Sequence, residues 1–244
     1  MKNYLVIGNP IEHSLSPKLH NYWIKQNNID AIYDKKKIQK EEIERIILEM
    51  KKEKIHGINV TVPYKKLIIP FLDVLTPVAN ETQSVNTIYK QNNKIIGDNT
   101  DTTGFELSLK RINYDLKNKK VFILGAGGVV PSLISALKKM DAFKIILSNR
   151  TKEKAENLKK INSNIEIINW GVIPEFDMII NATSLGLKKE DDIKLDYADI
   201  GSNKFFYDII YNQETNFLLK AKQFGNKTEN GKMMFIYQAH QAFT

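Results

Sequence analysis

The chain has 244 residues, 42% of them hydrophobic, and a formal net charge of +8. This length and apolar content predict one large folded domain or two modest ones, and they exclude a disordered chain. The chain has no cysteine, which excludes disulfides, thiolate zinc sites and a cysteine nucleophile, and its four histidines show no paired metal-ligand spacing.

The positive charge is spread along the chain, with local lysine runs only at 35–37 and 117–120. This distribution favours solvated surface charge and help with small anions over a nucleic-acid interface. No apolar run approaches the roughly 20 residues of a membrane span, and the apolar N-terminal segment is too short for a signal peptide. We therefore expect a cytoplasmic protein with no membrane and no nucleic-acid partner.

Strands and helices alternate along the N-terminal part of the chain, which predicts a mostly parallel α/β sheet. Ser16 precedes Pro17 and is expected to cap the first helix. Pro63 cannot donate to a sheet ladder, so the strand that begins at Gly57 is expected to end there. The predicted strands are 4–8, 31–33, 57–63, 84–89 and 94–97, and the predicted helices are 17–27, 41–51, 65–73 and one that ends near 111.

Polar side chains gather where two of these strands end. Asn59, Thr61 and Lys65 lie on or just beyond the end of the third predicted strand, and Asn59 and Thr61 share one face of it. Ser14 and Ser16 lie at the junction between the first strand and the first helix. Open α/β sheets bind ligands at this edge. The pattern predicts a ligand site, although an ordinary polar fringe on a strand would look the same.

The second half of the chain opens with a buried strand that runs into a glycine-rich turn and an apolar helix. The strand covers 120–124, the turn is Gly125-Ala126-Gly127-Gly128, and the helix ends near Met140. Glycines let a backbone approach a pyrophosphate, and the amides and dipole of a helix N-terminus hold the anion. This context predicts a dinucleotide site, with a plain tight turn as the alternative.

The tip of the next predicted strand, 144–148, carries a basic residue. Arg150 follows that strand, and Lys154 lies nearby. NAD enzymes place an acidic residue about 20 residues past the glycine turn. A guanidinium instead suits a 2′-phosphate and stacks on adenine. The pattern therefore favours NADP over NAD, with a surface arginine beside a Thr151 helix cap as the alternative.

The remaining elements continue the alternation of strands and helices. A strand that begins at Phe176 is expected to be followed by a loop of small residues, which would let a flat ring pack against the backbone. Further strands are expected at 165–168 and 205–212, an acidic surface loop at 191–199, and helices at 215–223 and after Gly231.

The chain carries a series of short motifs in a fixed order. They are Gly8 to Pro17 with His20-Asn21, Asn59 to Lys65, Val85-Asn86-Thr87, Gly97 to Gly104, Gly125 to Gly128, Asn149-Arg150-Thr151, Asn181 to Gly186, Tyr207 to Asn212, and Gly231 to Ala239. Any one of them could arise by chance, but together they are highly specific. The chain resembles the shikimate dehydrogenase family over essentially its whole length.

The resemblance implies an α/β fold of two domains with an active-site cleft between them. Residues 1–101 plus 232–244 would form a shikimate-binding domain with a mostly parallel sheet, and residues 102–231 a Rossmann-like NADP-binding domain. The implied reaction is the reversible, NADPH-dependent reduction of 3-dehydroshikimate to shikimate, a step of chorismate and aromatic amino acid biosynthesis. The resemblance implies no metal and a monomer or homodimer.

The resemblance also implies a set of site residues. Lys65 and Asp101 would be the catalytic pair, and the adjacent Lys66 is expected to be a solvated bystander. The substrate-binding residues would be Ser14, Ser16, Asn59, Thr61, Lys65, Asn86, Asp101, Tyr211 and Gln238, of which the two serines and Tyr211 would hold the carboxylate. The cofactor-binding residues would be Gly125, Ala126, Gly127, Gly128, Val129, Asn149, Arg150, Thr151, Lys154, Thr183, Ser184, Ile209 and Gly231.

Two alternatives stay open from the sequence. A dehydrogenase that also accepts quinate or NAD would carry the same motifs, and Thr61, Asn86 and the pocket shape would decide whether the extra hydroxyl of quinate fits. A catalytically silent NADP-binding homologue would share the fold. The retention of both Lys65 and Asp101 weighs against the silent protein.

Overall fold

The computed structural model describes residues 1–188 and 190–244. The chain divides into two compact units: unit 1 comprises Met1–Gly104 and Ile236–Thr244, and unit 2 comprises Phe105–Phe235. Each unit has its own β-sheet and its own hydrophobic core.

Unit 1 is built on a mostly parallel sheet. Its strands are β1 (Lys2–Gly8), β2 (Ala31–Lys37), β3 (Gly57–Val60), β4 (Val74–Leu75), β5 (Thr87–Gln91) and β6 (Lys94–Asp98). The strand order is β2-β1-β3-β5-β6-β4, and β5 runs antiparallel to β3 and β6 while the other pairs are parallel. The parallel register of β1 and β3 brings the loop after β1 and the loop after β3 to the same edge.

The helices of unit 1 cover the apolar faces of this sheet. They are α1 (Ser16–Gln26), α2 (Ile43–Lys51), α3 (Pro77–Thr82) and the first turn of α4 (Asp101–Arg111). In α2, Ile43, Ile46, Ile47 and Met50 recur at helical spacing and are all buried, so the amphipathic pattern explains why this segment folds as a helix. They join Ile58 and Ile88 of the sheet in one core.

Unit 2 is built on a parallel sheet. Its strands are β7 (Lys120–Leu124), β8 (Lys144–Ser148), β9 (Ile165–Ile168), β10 (Met178–Asn181), β11 (Phe205–Asp208) and β12 (Lys227–Asn230). The order is β12-β11-β10-β7-β8-β9, and every pair is parallel. From β7 the chain winds first toward β9 and then, on the other side, toward β12. This reversal opens a crevice beyond the carboxyl ends of β7 and β10, where doubly wound sheets bind ligands.

Helices pack on both faces of the unit 2 sheet, so the central strands β7, β8, β10 and β11 are largely buried and read as mostly apolar runs. The helices are the rest of α4, then α5 (Val130–Lys139), α6 (Lys152–Ile161), α7 (Tyr197–Ile200), α8 (Asn216–Gln223) and the start of α9 (Lys232–Phe243). Alternate residues of β7 enter two cores: Val121 and Ile123 face one, and Phe122 and Leu124 face the other. The predicted α/β fold with a Rossmann-like domain is confirmed.

Several predicted elements differ from the structure. The helix expected at 65–73 is wrong, because that segment forms only a short 3₁₀ turn at Ile69–Phe71. Ser16 does not cap α1: Leu15 occupies the cap position, and Ser16 is the first residue of the helix. The strand expected at 205–212 ends at Asp208. Elements β4, α3 and β12 were not predicted, since two are very short and β12 is largely polar.

The acidic segment expected to be a surface loop is partly helical. It contains the start of α7, and Tyr197 of that turn is buried among the aromatic side chains of unit 2. Lys189 lies outside the described residues. Within the described ranges, no helix combines the length and the apolar character that crossing a membrane requires.

Candidate active site

Lys65 and Asp101 form a buried ion pair in unit 1. Lys65 Nζ donates to Asp101 Oδ2 at 2.5 Å, and the two side chains are 11% and 8% exposed. Lys65 lies in the turn after β3, and Asp101 lies in the first turn of α4, where the helix dipole favours a carboxylate. Because bulk water is largely excluded, the pair interacts more strongly than it would on the surface. It presents an ammonium group oriented by a neighbouring carboxylate.

Asn86 links this pair to the rest of unit 1. Its Nδ2 lies 3.0 Å from Asp101 Oδ1, 2.9 Å from Thr100 Oγ1 and 3.3 Å from Gln238 Oε1. Its Oδ1 accepts from the Thr100 N–H at 2.8 Å. Asp101 Oδ1 is therefore held by Asn86, while Asp101 Oδ2 accepts the hydrogen bond from Lys65. Gln238, on α9 far along the chain, is brought to the same place.

Asn59 and Thr61 lie at the end of β3, as predicted. Asn59 Nδ2 donates to the Asn86 carbonyl at 3.1 Å and to Thr87 Oγ1 at 3.0 Å. Both amide hydrogens of Asn59 are thus used within the protein, so any ligand contact falls on its oxygen. Thr61 follows the strand and is half-buried, and its methyl group lies where a side chain on Gly8 would stand, 2.5 Å from an ideal Cβ.

Ser14 and Ser16 lie in the loop after β1 and at the start of α1. The Ser16 N–H donates to Ser14 Oγ at 3.3 Å. A hydroxyl that accepts one hydrogen bond keeps its own proton to donate. Ser14 is half-buried and Ser16 is buried, so the loop presents hydroxyl groups at a partly shielded position suited to a carboxylate.

The glycine turn of unit 2 leaves its backbone open to a ligand. Gly125 has φ +109°, and a Cβ there would lie 2.6 Å from the Ala182 carbonyl, so only glycine fits. A Cβ on Gly127 would meet nothing closer than 3.8 Å, which leaves space beside the turn. Val129 occupies the cap position of α5 without a side-chain cap, and the first turn carries no acidic residue. These features fit a pyrophosphate, because helix amides and the helix dipole favour an anion.

Arg150 stands at the carboxyl end of β8, on the same edge as the glycine turn. Arg150, Thr151 and Lys154 are exposed, and Asn149 Nδ2 donates to the Thr151 carbonyl at 2.7 Å. Thr151 occupies the cap position of α6, but its side chain makes no cap hydrogen bond. Among residues 1–188 and 190–244, neither Arg150 nor Lys154 is engaged in an ion pair. Two cations thus stand where a 2′-phosphate would need them.

Two buried polar side chains shape the loops after β10 and β11. Asn181 Oδ1 accepts from Thr183 N at 3.0 Å and from Thr183 Oγ1 at 2.7 Å, and its Nδ2 donates to Asp208 Oδ1 at 3.1 Å. Asp208 also accepts from Ile210 N and from Thr215 Oγ1. Burial raises the pKa of the Asp208 carboxyl, and these hydrogen bonds oppose the rise. The pair holds the loop that carries Thr183 and Ser184.

Ile209 and Gly231 approach each other at the same edge of the sheet. An ideal Cβ on Gly231 would lie 2.1 Å from the Ile209 carbonyl oxygen, so the two backbones touch. Tyr211 also belongs to unit 2, where its ring stacks on Phe235 with centroids 4.3 Å apart and an interplanar angle of 11°. The assignment of Tyr211 to the substrate stays a prediction.

The structure gathers the other predicted substrate residues in unit 1 and the predicted cofactor residues in unit 2. Sequence reasoning missed the supporting residues Tyr33, Thr87, Thr100 and Asn181. Thr100 and Asn181 carried a signal, a polar side chain at or just after the end of an apolar strand, whereas Tyr33 lies inside the largely charged β2 and Thr87 begins β5. Within the described part of the chain, no cluster of three histidine or carboxylate side chains could hold a metal ion.

Comparison with known proteins gives one consistent result. Residues 6–88 match the family model for the shikimate dehydrogenase substrate binding domain, and residues 106–208 match the model for shikimate / quinate 5-dehydrogenase. The chain is 63% identical to a shikimate dehydrogenase (NADP(+)) of Pelagibacter ubique over 99% of this chain and 92% of that protein.

Solved structures agree with the sequence relatives. The crystal structure of shikimate dehydrogenase from Aquifex aeolicus superposes with a TM-score of 0.93 at 42% identity and covers 100% of this chain and 91% of that one. A shikimate dehydrogenase solved in complex with NADP+ superposes with a TM-score of 0.92 at 34% identity, covering 100% and 88%.

Proposed function

This chain belongs to the shikimate dehydrogenase family, and we propose that Lys65 and Asp101 are the residues with which it catalyses its reaction. The reaction is the reversible, NADPH-dependent reduction of 3-dehydroshikimate to shikimate, a step of chorismate and aromatic amino acid biosynthesis. The observation that carries the proposal is the buried 2.5 Å ion pair between an ammonium donor and a carboxylate.

The reduction requires a hydride on the ring carbon and a proton on the carbonyl oxygen. Bound NADPH supplies the hydride. Lys65 donates the proton to the oxygen and stabilises the negative charge that develops there, which is the role of a general acid in a shielded site. Asp101 orients the ammonium group and accepts a hydrogen bond from a neighbouring ring hydroxyl. In the reverse direction, the same side chain takes the proton from the alcohol.

The other polar side chains of unit 1 bind the substrate. Ser14 and Ser16 hold the carboxylate, since hydroxyl donors suit a carboxylate. Thr61, Asn86 and Gln238 hold ring hydroxyls, and Asn59 contributes its amide oxygen. Tyr211 adds to carboxylate binding, as the family resemblance implies. Each of these roles rests on the position of the side chain and on the family, and each can be tested by truncation.

Unit 2 binds the cofactor. We assign the shikimate-binding domain to residues 1–101 plus 232–244 and the NADP-binding domain to 102–231. The turn 125–129 would hold the pyrophosphate, and Arg150 with Lys154 the 2′-phosphate, next to Asn149 and Thr151. Thr183, Ser184, Ile209 and Gly231 would line the nicotinamide. The open space beside Gly127 supports this assignment, as do Arg150 and Lys154, which form no ion pair with any residue the structure describes.

The decisive experiment replaces Lys65 by alanine. A general acid contributes roughly 10²–10⁴-fold, so kcat should fall by that factor while KM for shikimate changes modestly. Oxidation of shikimate with NADP is followed by absorbance of the reduced nicotinamide. Lys66→Ala is the matched control, because Lys66 is adjacent but exposed, and it should keep normal turnover. Near-normal kcat in Lys65→Ala would remove Lys65 from the chemistry.

The same assay decides the alternatives. Quinate in place of shikimate, and NAD in place of NADP, test relaxed specificity, and turnover with any pair excludes a silent homologue. We also propose that the enzyme works in the cytoplasm as a monomer or a homodimer. These two points rest on the family resemblance, and cell fractionation and light scattering would test them.

A further inference from the structure

Tyr33 is a buried residue of unit 1 to which the proposed mechanism gives no role. It lies on β2, its side chain is 3% exposed, and its hydroxyl donates to Asn59 Oδ1 at 2.6 Å. The Ser16 side chain lies beside the same phenol, where it acts to lower the pKa. Burial raises the pKa of Tyr33 above its ordinary value, so the hydroxyl keeps its proton and remains a donor near neutral pH. Tyr33 thus joins α1 to the end of β3.

The motif His20-Asn21 holds Tyr33 in place. Asn21 Nδ2 donates to the Tyr33 carbonyl at 2.7 Å, and the Tyr33 N–H donates to Asn21 Oδ1 at 2.9 Å. The His20 ring stacks on the Tyr33 ring with centroids 4.1 Å apart and an interplanar angle of 10°. Ser16 and His20 lie four residues apart on one face of α1. The backbone and the ring of Tyr33 are therefore fixed by α1, and its hydroxyl is held by Asn59 of β3.

From Tyr33 a directional chain of hydrogen bonds runs to the catalytic pair. Asn59 Nδ2 donates to Thr87 Oγ1 at 3.0 Å, and Thr87 Oγ1 donates to Asn86 Oδ1 at 3.0 Å. Asn86 Nδ2 donates to Asp101 Oδ1 at 3.0 Å. Each link of the chain pairs a donor with an acceptor, so the arrangement is internally consistent. It connects residues proposed for the carboxylate with residues proposed for the ring hydroxyls.

We propose that Tyr33 is a positioning residue of the substrate site, which sets the distance between the carboxylate-binding hydroxyl of Ser16 and the ring-binding side chains beginning at Asn59. The inference rests on the proposed substrate-binding roles of Ser16 and Asn59. A ring substrate with a carboxylate at one end and hydroxyls at the other must meet both sets of donors at once. Preorganising that spacing lowers the cost of binding.

The test variant is Tyr33→Phe, which removes the hydroxyl and keeps the ring that stacks on His20. The hydrogen bond to Asn59 and the contact with Ser16 are lost, so KM for shikimate should rise roughly five- to tenfold. Asp101 stays held by Lys65 and Asn86, so kcat should change by no more than about twofold. KM for NADP should stay unchanged. A purely structural defect would lower the active fraction and the melting temperature without raising KM for shikimate.

Tyr64→Phe is the matched control. Tyr64 lies in unit 1, is 3% exposed like Tyr33, and donates to the Ile38 carbonyl at 2.6 Å. It should lose a similar amount of stability and keep the wild-type KM. An unchanged KM in Tyr33→Phe, or the same rise in Tyr64→Phe, would overturn the inference.

Ser16→Ala separates failure of the inference from failure of the proposed site. If Ser16→Ala leaves KM for shikimate unchanged, the proposed carboxylate site is wrong. If Ser16→Ala raises KM and Tyr33→Phe does not, only the inference about Tyr33 is wrong. If both raise KM and the double variant shows less than the product of the two effects, Ser16 and Tyr33 act as one unit, as the inference requires.

Discussion

The buried carboxylate of Asp208 offers the sharpest test of how unit 2 is held together. Its oxygens accept hydrogen bonds from Asn181 Nδ2 at 3.1 Å, from the Ile210 N–H at 3.0 Å and from Thr215 Oγ1 at 2.6 Å. We compare Asp208→Ala, which removes every acceptor, with Asp208→Asn, which keeps the shape. The two variants should differ in stability, because asparagine still offers an acceptor to the buried donors and alanine does not.

In Asp208→Ala, Ile210 N–H and the Thr215 hydroxyl lose their acceptor, while Asn181 Nδ2 still donates to the Leu185 carbonyl at 2.9 Å. A buried donor left without a partner costs roughly 1–3 kcal/mol, so the variant should lose about 4 kcal/mol. In Asp208→Asn, the amide oxygen still accepts from Ile210 and Asn181. The amide nitrogen can donate to Thr215 Oγ1, whose hydroxyl rotates. The loss should stay below about 1 kcal/mol.

The two side chains also differ in their response to pH. Burial raises the pKa of Asp208 above its ordinary value of 3.8. A carboxylic acid with a higher pKa in the folded state binds its proton more tightly when folded. Its contribution to stability is complete below 3.8 and is lost as pH rises through the folded pKa. The asparagine does not titrate, so Asp208→Asn should gain stability relative to wild type as pH rises.

The assay is urea unfolding followed by the fluorescence of Trp170, which belongs to unit 2. A Trp23→Phe background removes the signal from unit 1. Free energies of unfolding are compared at roughly pH 4 and pH 7. The reasoning is refuted if Asp208→Asn is as unstable as Asp208→Ala, or if it loses stability relative to wild type as pH rises.

Three further predictions concern other positions. Burial lowers the pKa of His20 to about 4, so its contribution to stability is present above pH 6.5 and is lost as pH falls toward 4. His20→Phe should therefore abolish an acid-induced loss of about 3 kcal/mol in the free energy of unfolding. An unchanged dependence of the unfolding free energy on pH would contradict this. Gly231→Ala puts a Cβ 2.1 Å from the Ile209 carbonyl and should destabilise unit 2 by several kcal/mol in urea, whereas wild-type stability would rule out the close approach. Arg150→Ala should raise KM for NADP roughly tenfold and leave KM for NAD nearly unchanged; an equal rise for both would remove Arg150 from the 2′-phosphate.

Local patterns predicted most of the elements well. The apolar runs of β7 and β8 and the periodic isoleucines of α2 are visible in a short window of sequence. The helix expected at 65–73 shows where this reasoning fails. The segment has helix-forming residues, yet it forms only a 3₁₀ turn, because Pro70 lies within it and a proline in a helix interior removes a backbone donor and clashes with the preceding turn. The prediction overlooked a signal that the sequence itself carries.

The candidate site was predicted by motif, whereas its contacts were not predictable. Ser16 illustrates the difference. As a serine before a proline it predicts a helix cap, but in the fold it is the first residue of α1, and its side chain lies beside the phenol of Tyr33. The cap prediction used only residues adjacent in the sequence, whereas Tyr33 lies on β2.

The stretch from Gly57 to Lys65 shows the same division. Its apolar, β-branched residues determine a strand, and Pro63 stops the ladder, because these are properties of the residues themselves. Which side chains would surround Lys65 depended on the whole fold. Asp101 lies 36 residues away, and Gln238 lies 152 residues from Asn86. By itself, the sequence determined most of the strands, the glycine turn and the family. Only the tertiary structure decided which polar groups share a hydrogen bond, because burial forces distant donors and acceptors to satisfy one another.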